Sequence, residues 1–388
     1  MTGVVVTGFG IVSAAGLGAP AHAAAVREGR SGLGPLTLFP SPRCGHLPVA
    51  EVARISAVPR AVHLGQPALA EALAHAQLPG SLLRHTALVV GTTVGGMPET
   101  EIAVARLTTS SPSLAAVWAG HECAALTQAL SAHAGLGGLR STVSNACASG
   151  ALAIATGMDL LMANAADVVV AGGVDALCRM TLNGFASLLA LDPDGCRPFD
   201  RNRKGTSLGE GAAFLVLETS AHARARGVHA KGELAGFGHS CDAHHATAPD
   251  PNGRGAELAM ANALHMAGLS PSAIDYVNAH GTGTRDNDRA EGRALRRLFG
   301  QDMPPVSSTK RIFGHTLAAA GAIEAIVCLL AMAGDFVPGT AGLVDIDPEC
   351  ELSPHRTTTA GRIRCALSNS FGFGGHNTVL CFRRTETR

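Results

Sequence analysis

The sequence is poor in aromatic side chains and in charge. Only 4% of its 388 residues are aromatic, with one Trp and one Tyr, and 15% are charged. Its 30 basic residues balance 30 acidic ones, so no net field draws the chain onto DNA, RNA or an anionic membrane. We therefore expect no nucleic-acid partner and no membrane partner.

The sequence also lacks the patterns of disulfide, secreted and membrane proteins. Its 10 cysteines show no CxxC spacing, and a chain of this size does not need disulfide staples, so we expect reduced thiols. The least charged stretches, 141–158 and 325–334, are either rich in polar and small residues or too short to span a bilayer. Residues 1–10 lack the basic start of a secretory signal, which favours a cytoplasmic protein.

A metal or redox cofactor is not predicted. Residues 241–245 hold one cysteine, one aspartate and two histidines, but no second cluster follows at ligand spacing. Gly8 and Gly10 lack the third glycine and the acidic residue of a dinucleotide site. We expect a tight turn there, and neither nicotinamide nor flavin.

What the chain has is small apolar residues, with 46% hydrophobic residues and 47 glycines. Apolar runs predict strands at 3–7, 87–90, 167–171, 213–217, 276–278, 364–368 and 378–382. Apolar periodicity predicts helices at 147–164, 254–267, 286–299 and 316–332. Their alternation indicates an α/β fold built in layers.

The length favours two halves packed as one body, because it exceeds the size of a single simple core. We place the halves at 1–230 and 231–388, with the junction in the charged segment 220–229. The sequence Val-Thr-Gly-Phe-Gly at 6–10 resembles Leu-Ala-Gly-Phe-Gly at 234–238. This echo suggests an internal duplication.

Cys147 is the first candidate catalytic residue, in the segment Ser-Asn-Ala-Cys-Ala-Ser-Gly. The nearly uncharged residues 148–163 predict a buried helix, which places Cys147 at a helix N-terminus. Free amides and the helix dipole stabilise a thiolate there. The alternative, a small hydrophobic core residue, holds for most cysteines.

Two histidines follow in loops that suit functional groups. His280 ends a predicted strand and enters a Gly/Thr loop, and His315 precedes a predicted helix. Lys310 and Glu324 lie near His315 in the sequence, and we expect a buried ion pair or relay between them. One thiol and two imidazoles suit covalent acyl-thioester chemistry.

The C-terminal segment 368–377 combines glycines with Phe371 and Phe373. Glycine permits a close backbone approach, and a phenylalanine can close an apolar tunnel. A backbone amide of this loop could join that of Cys147 in an oxyanion hole. A hairpin with two core phenylalanines is the alternative.

Together these motifs resemble the β-ketoacyl-acyl carrier protein synthases of the thiolase superfamily, in the elongating branch with a Cys-His-His site. The resemblance covers nearly the whole chain. It rests on segments 4–12, 145–150, 197–200, 209–212, 278–288, 307–321 and 369–377. It implies a thiolase-like duplicated α-β-α-β-α layered fold, normally dimeric, without metal or redox cofactor.

The resemblance implies a decarboxylative Claisen condensation. Cys147 would accept an acyl chain from a carrier thioester, and His280 and His315 would hold the malonyl carbonyl. The product would be a 3-oxoacyl-acyl carrier protein. Lys310 and Glu324 would organise the site.

Other residues take their roles from the same resemblance. Thr282 and Thr284 would contact the phosphopantetheine arm of the carrier protein. Phe373 would gate the acyl tunnel, together with the neighbouring Phe371, and the Phe373 backbone amide would donate to the oxyanion. Asp288 and Glu291 look structural. The partners would be an acyl carrier protein and a second subunit, in a homodimer or in a heterodimer with a homologous chain-length subunit that contacts the region before Ser141.

The chain departs from the family pattern at several positions. Residues 311–313 read Arg-Ile-Phe where the family often has Ser-Met-Thr, Ala319 replaces a common Gly, and Thr206 stands where Phe is frequent. We expect these positions near the substrate arm or tunnel. They put ordinary fatty-acid elongation in doubt. Gly283, residues 285–289 and residues 314–317 resemble more closely those of specialised type II systems, such as aryl-polyene or polyketide synthases.

Carrier docking is expected to differ too. Residues 59–64 are poor in the basic side chains that usually meet the acidic carrier. Arg201, Arg203 and Lys204 could supply that charge, although a solvated basic turn is an equal alternative.

Two other functions fit parts of the sequence. A non-catalytic chain-length subunit would usually lack the nucleophile that Cys147 supplies. A thiolase acting on acyl-CoA would carry a second cysteine where Phe373 stands.

Overall fold

The computed structural model describes residues 3–53, 55–107 and 114–385. The strands are β1 (Val4–Ser13), β2 (Gly16–Leu17), β3 (Ala87–Gly91), β4 (Arg140–Val143), β5 (Val168–Asp175), β6 (Gly211–Thr219), β7 (Gly232–Cys241), β8 (Tyr276–Asn278), β9 (Val306–Ser307), β10 (Phe336–Val337), β11 (Thr359–Ala360), β12 (Cys365–Gly372) and β13 (His376–Arg383). The helices are α1 (Ala19–Glu28), α2 (Arg60–His75), α3 (Gly80–Leu83), α4 (Met97–Leu107), α5 (Leu114–His121), α6 (Cys123–Ala134), α7 (Ser149–Met162), α8 (Arg179–Ser187), α9 (Ser220–Ala225), α10 (Arg254–Ala267), α11 (Arg285–Phe299), α12 (Lys310–Phe313) and α13 (Ala320–Gly334).

The strands and helices expected from apolar patterning are confirmed. Every predicted strand and helix overlaps an observed one, and the bounds of α10 and β8 agree with the predicted ranges. The predicted ranges miss the ten-residue β7 and the helices α1 to α6, α8, α9 and α12. They also miss the short strands β2, β4, β9, β10 and β11, which are two to four residues long. Such short strands carry too few residues for a period to show.

Eleven of the described strands form one continuous sheet in which the two halves repeat the same topology, and β10 and β11 form a separate two-stranded sheet. Within the described residues the order is β4-β3-β5-β6-β1-β7-β13-β12-β8-β9, and β2 pairs with β1. In each half the first strand lies at the centre, beside the last strand of that half. The outermost pair is parallel, β3 with β4 in the first half and β8 with β9 in the second. The halves join where β1 runs antiparallel to β7, with Val4 opposite Leu234. This repetition confirms the duplicated α/β fold.

The echo between residues 6–10 and 234–238 has a physical cause. A Cβ atom added at Gly10 would lie 2.0 Å from the Ala68 carbonyl oxygen on α2, and one at Gly238 would lie 2.0 Å from that of Ala259 on α10. Each half therefore uses glycine to let an Ala-rich helix approach its first strand closely.

The helices α7 and α13 pack in the core and bring the site together. A Cβ atom at Gly150 would lie 2.4 Å from the Ala318 carbonyl oxygen, so the N-terminal ends of the two helical segments lie side by side. Residues 317–334 are apolar and long enough to cross a membrane by composition, but 83% of that segment is buried in the fold. That burial is typical of the core helix of a globular protein. Cys147 and His315 directly precede these adjacent helix ends.

Candidate active site

Cys147 lies in the turn between β4 and α7, two residues before the helix begins. Ala146 has a φ of +47°, a left-handed conformation that is uncommon for a residue with a side chain. The Ser149 hydroxyl donates to the Ala146 carbonyl at 2.6 Å and accepts from the Asn145 N–H at 2.7 Å. These bonds hold Cys147 at the N-terminus of a buried helix.

The structure brings the thiol and both imidazoles together. Sγ of Cys147 lies 3.0 Å from Nε2 of His315. The rings of His280 and His315 meet edge to face, with centroids 5.3 Å apart. All three side chains are buried, with exposures of 6%, 2% and 2% in the order Cys147, His280 and His315. One thiol and two imidazoles thus form a single site.

The backbone on either side of each histidine is fixed by neighbours. Glu291 on α11 accepts hydrogen bonds from the N–H groups of His280 and Gly281, both at 2.8 Å. The N–H of His315 donates to the Ser207 carbonyl at 2.7 Å. The imidazoles are therefore held in place before any substrate enters, as a catalytic site requires.

Lys310 and Glu324 form the predicted buried ion pair. The Lys310 ammonium donates to Oε1 of Glu324 and, at 2.8 Å, to the His280 carbonyl. Burial raises the pKa of the Glu324 carboxyl to about 7, and the Lys310 charge works in the opposite direction. The pair thus places a cation directly behind the backbone of His280.

Burial disfavours the charged form of the Cys147 thiol. Burial raises its pKa to about 12, while the Lys310 charge and the backbone amides of Phe373 and Cys147 lower it. Burial of the sulfur therefore opposes the thiolate that the helix N-terminus favours. Removing the sulfur from water outweighs the amides and the cation that favour its charged form.

The two imidazoles are neutral at physiological pH. Burial lowers the pKa of His280 and of His315 well below the usual value, and the nearby Lys310 charge adds to the effect. A neutral imidazole carries one N–H donor and one acceptor nitrogen. Each ring can therefore donate a hydrogen bond to a developing oxyanion without bringing a charge.

The glycine loop after β12 comes close to the nucleophile. A Cβ atom at Gly372 would lie 3.1 Å from the Cys147 backbone nitrogen. The amides of Phe373 and Cys147 both donate to the Cys147 sulfur. Two backbone donors thus converge where an acyl group on the sulfur would place its carbonyl oxygen, the arrangement expected for an oxyanion hole.

Aromatic rings close the site on one side. Phe373 stacks on Phe185, with ring centroids 5.2 Å apart, and Phe371 lies 5.8 Å from His280 by the same measure. A cavity of about 360 Å³ reaches Cys147 and both histidines. It is lined also by Phe185, Leu188, Leu189, Ala190, Lys204, Gly205, Thr206, Asp242, Thr247, Ala248, Pro249, Thr282, Thr284, Arg285, Asp286, Asn287, Phe371, Gly372, Phe373 and Asn377.

Thr282 and Thr284 lie on the wall of this cavity, as expected for residues that contact a substrate arm. Their hydroxyls are hydrogen-bonded to each other at 2.8 Å. Thr206 also lines the cavity, and its buried hydroxyl has no partner among the described residues. A threonine here leaves room that a phenylalanine would fill.

The other departures from the family pattern do not line the cavity. Arg311 donates to the carbonyls of Gly195 and Cys196 at 3.1 and 2.9 Å. Ile312, Phe313 and Ala319 belong to the hydrophobic core. These residues pack around the loop that carries His315 and support it.

Arg203 cannot serve carrier docking, which corrects the expectation from the sequence. Its guanidinium is buried and forms ion pairs with Asp288 at 3.2 Å and with Asp347 at 2.6 Å. Arg201 and Lys204 are exposed, but each is paired with an acidic neighbour. The basic turn is therefore largely neutralised in place.

Asp175, at the end of β5, is a supporting residue that the sequence analysis misses. Its carboxylate accepts from the hydroxyls of Thr92 and Thr93 at 2.7 and 2.5 Å. It also accepts from the Ala318 N–H at 2.9 Å. It thereby ties the loop after β3 to the segment after His315. A lone aspartate ending an apolar strand is the sequence signal that could have found it.

The residues considered for a metal serve the fold. Asp242 accepts from the Asn377 side chain at 2.7 Å and from the Asp250 N–H at 2.9 Å. No group of three metal-binding side chains occurs in the part of the chain that the structure describes.

Family models match both halves of the chain. The model for the β-ketoacyl synthase N-terminal domain matches residues 1–223, and that for its C-terminal domain matches residues 231–344.

Relatives at the level of sequence include condensing enzymes. Nodulation protein E of Rhizobium meliloti is 38% identical over 98% of this chain and 99% of its own length. The 3-oxoacyl-[acyl-carrier-protein] synthase 2 of Synechocystis is 36% identical over 99% of this chain and 98% of its own. The enzyme of the same name from Mycobacterium tuberculosis is 43% identical over 62% of this chain, and the match spans 60% of its length.

Solved structures agree in fold over the full chain. The ishigamide ketosynthase/chain length factor superposes with a TM-score of 0.94 at 33% identity, covering 99% of this chain and 100% of that one. A ketosynthase in complex with its chain length factor from Xenorhabdus doucetiae gives a TM-score of 0.84 at 31% identity, covering 99% and 98%. The chain belongs to the β-ketoacyl synthase family and is a ketosynthase enzyme with the duplicated thiolase-like fold.

Proposed function

We propose that this ketosynthase joins an acyl chain held on Cys147 to the two-carbon unit of malonyl-acyl carrier protein, giving a 3-oxoacyl-acyl carrier protein. The observation that carries the proposal is the contact of 3.0 Å between Sγ of Cys147 and Nε2 of His315, with His280 beside it. A nucleophile next to two neutral donors can support both acyl transfer and stabilisation of an enolate.

In the first step, the Cys147 sulfur attacks the carbonyl carbon of the acyl thioester. The bond from that carbon to the sulfur of the phosphopantetheine arm breaks, and the acyl group remains on Cys147. The proton of the Cys147 thiol leaves on the thiol of the arm, and His315 is close enough to the sulfur to relay it. The amides of Phe373 and Cys147 stabilise the oxyanion that forms.

In the second step, the malonyl thioester places its carbonyl oxygen between His280 and His315. The bond to the carboxylate breaks and CO2 leaves, so the electron pair moves onto the thioester as an enolate. The enolate carbon then attacks the acyl carbonyl on Cys147, and the sulfur departs as a thiolate that takes up one proton from solvent. Two imidazole N–H donors stabilise the negative oxygen because they are already oriented.

The support of the site has a role in this scheme. Lys310, paired with Glu324, holds the His280 backbone carbonyl, and Glu291 holds the backbone N–H groups of the same loop. Thr282 and Thr284 would receive the phosphopantetheine arm, with Phe373 and Phe371 as the gate beside it. No metal or redox step is needed in this scheme.

The first test is acylation of the purified protein by an acyl-acyl carrier protein. Intact-protein mass spectrometry should show one acyl adduct, and peptide mapping should place it on Cys147. The Cys147→Ala variant should show none, whereas a Cys241→Ala variant, which removes an exposed cysteine, should be acylated normally. An adduct on any other residue would refute the proposed nucleophile.

We propose that the pathway is a specialised type II system and that the working unit is a heterodimer with a homologous chain-length subunit. The solved relatives named above include two that pair a ketosynthase with a chain length factor, and a third is a type II polyketide ketosynthase in complex with its acyl-carrier protein, at 26% identity and a TM-score of 0.91. Part of the expected subunit contact, residues 108–113, lies outside the described residues. Native mass spectrometry of the chain alone and with a candidate partner separates a homodimer from a heterodimer.

The two alternative functions lack support at the site. Cys147 is present and adjoins both histidines, which a purely structural chain-length subunit would not need. Among the residues that line the cavity, Cys147 is the only cysteine, and Phe373 occupies the place where a thiolase would carry its second one. Condensation that depends on a malonyl donor, with none from an acetyl donor, would separate the proposed activity from that of a thiolase.

A further inference from the structure

Leu189 adopts a backbone conformation that its side chain disfavours. Its φ is +54°, in the left-handed region where a bulky residue is sterically strained. It lies just after α8, where its N–H donates to the Ala186 carbonyl and the N–H of Ala190 donates to that of Phe185, both at 3.0 Å. This pair of bonds ends a helix at a position where glycine is the usual residue.

The strained position presents an apolar side chain to water. Leu189 is 86% exposed and Leu188 is 50% exposed. Met180 is 60% exposed, and a Cβ atom at Gly184 would meet no atom within 4 Å. Residues four apart share a helix face, so Met180 and Leu188 lie on one face of this segment, separated by Gly184, and Leu189 follows at its end.

The two leucines also belong to the active-site cavity. Both line it together with Cys147, whose own side chain is only 6% exposed. A thioester must therefore pass the leucines to reach the sulfur. Any protein that carries the thioester on a flexible arm must stand over this opening.

We infer that Leu188 and Leu189 form an apolar rim that packs against the body of the carrier protein while its arm occupies the cavity. The inference rests on the proposed function, because only a carrier-borne substrate brings a protein to this opening. The basic groups nearby already have acidic partners within the chain. Arg203 is buried in ion pairs, and Lys204 is bound to Asp194 at 2.8 Å. Apolar packing is therefore favoured over a charged contact with the carrier. The rim fits a carrier with apolar side chains around the attachment point of its arm.

The test compares two donors of the same acyl group on the Leu189→Gly variant. One donor is the acyl carrier protein, and the other is the acyl N-acetylcysteamine thioester, which has an arm fragment and no protein. For the carrier-borne donor, KM for acylation of Cys147 should rise about tenfold, as for the loss of one buried leucine at an interface. For the small donor, which also passes Leu189 but brings no protein, the effect on acylation should be several-fold smaller. The melting temperature should stay equal or rise, because glycine suits the left-handed backbone.

Matched variants make the test specific. Leu189→Asn, which tolerates the same backbone but is polar, should repeat the effect. Leu258→Ser, on α10 and also exposed, should leave both donors unchanged.

Three results would overturn the inference. The first is an unchanged KM for the carrier-borne donor. The second is an equal loss of acylation rate with both donors, which would assign the rim to the acyl chain. The third is a changed oligomeric state, which would assign the rim to a contact with a second subunit. Absence of Cys147 acylation by either donor in the unmodified protein would instead refute the proposed function.

Discussion

Lys310 bridges Glu324 and the backbone carbonyl of His280, so one buried ion pair supports a catalytic histidine. Both charged side chains are almost fully removed from water, with exposures of 1% and 2%. A buried pair depends on both partners, because a single charge left in the interior is costly.

We therefore expect Lys310→Met to lower the free energy of unfolding by about 3–5 kcal/mol, the usual effect of breaking a buried pair. The double variant Lys310→Met/Glu324→Leu should recover most of that loss, because no unpaired charge remains. Urea denaturation measures both. Arg293→Ala, which removes a surface pair with Glu351, serves as the control and should have a much smaller effect. A double variant no more stable than the single one would contradict this view of the pair.

Substitutions of the two histidines should affect the acylation step and the decarboxylation step differently. His315 contacts the sulfur and, in the proposed mechanism, would also bind the malonyl carbonyl, so His315→Ala should slow both acylation of Cys147 and release of CO2. His280→Ala should leave acylation nearly intact and lower decarboxylation by about 100- to 1000-fold, as for the loss of one oxyanion donor. Mass spectrometry of the acyl adduct and assay of released CO2 separate the steps. Equal losses in both steps for His280→Ala would contradict the assignment.

The reactivity of Cys147 should increase with pH without a plateau near neutrality. Because burial raises the pKa of this thiol to about 12, the thiolate fraction rises about tenfold per pH unit throughout the range in which the protein stays folded. The rate of iodoacetamide alkylation, corrected with the Cys147→Ala variant, measures this. A rate that levels off between pH 6 and 8 would show a thiolate already formed.

The two glycine contacts should be sensitive to a single methyl group. Gly10→Ala and Gly238→Ala each place a Cβ atom 2.0 Å from a backbone oxygen, and we expect each to destabilise the protein by about 1–3 kcal/mol or more. Gly184→Ala in α8 is the matched control, because a Cβ atom there meets nothing within 4 Å. It should stabilise by about 0.5–1 kcal/mol. Thermal or urea unfolding distinguishes the two outcomes.

Arg203 should behave as part of the core. Arg203→Glu would place a third carboxylate beside Asp288 and Asp347, so we expect insoluble or strongly destabilised protein. Arg201→Glu, whose side chain is 57% exposed, should fold normally. Expression level and melting temperature report the difference. A stable Arg203→Glu variant with weakened carrier binding would restore the docking hypothesis.

The sequence predicts the strands and helices that have a long apolar pattern, and it predicts the residues of the site because their motifs are specific. It does not predict the raised pKa of Cys147, because burial by distant segments outweighs the local helix N-terminus. The sequence does not predict the role of Arg203 either, because a basic residue in a polar turn is expected to be exposed. Its buried partners Asp288 and Asp347 come from distant parts of the chain. Both depend on contacts between parts of the chain far apart in sequence.

The central claim is that Cys147 holds the acyl chain while His280 and His315 stabilise the enolate of the malonyl unit. The most direct measurement starts from protein acylated on Cys147, adds malonyl-acyl carrier protein, and follows the intact mass of both proteins together with CO2. The account predicts that the adduct leaves Cys147, one CO2 is released per chain transferred, and the carrier gains the acyl chain lengthened by two carbons. Transfer of the chain without CO2 release, or an adduct that stays on Cys147, would contradict it.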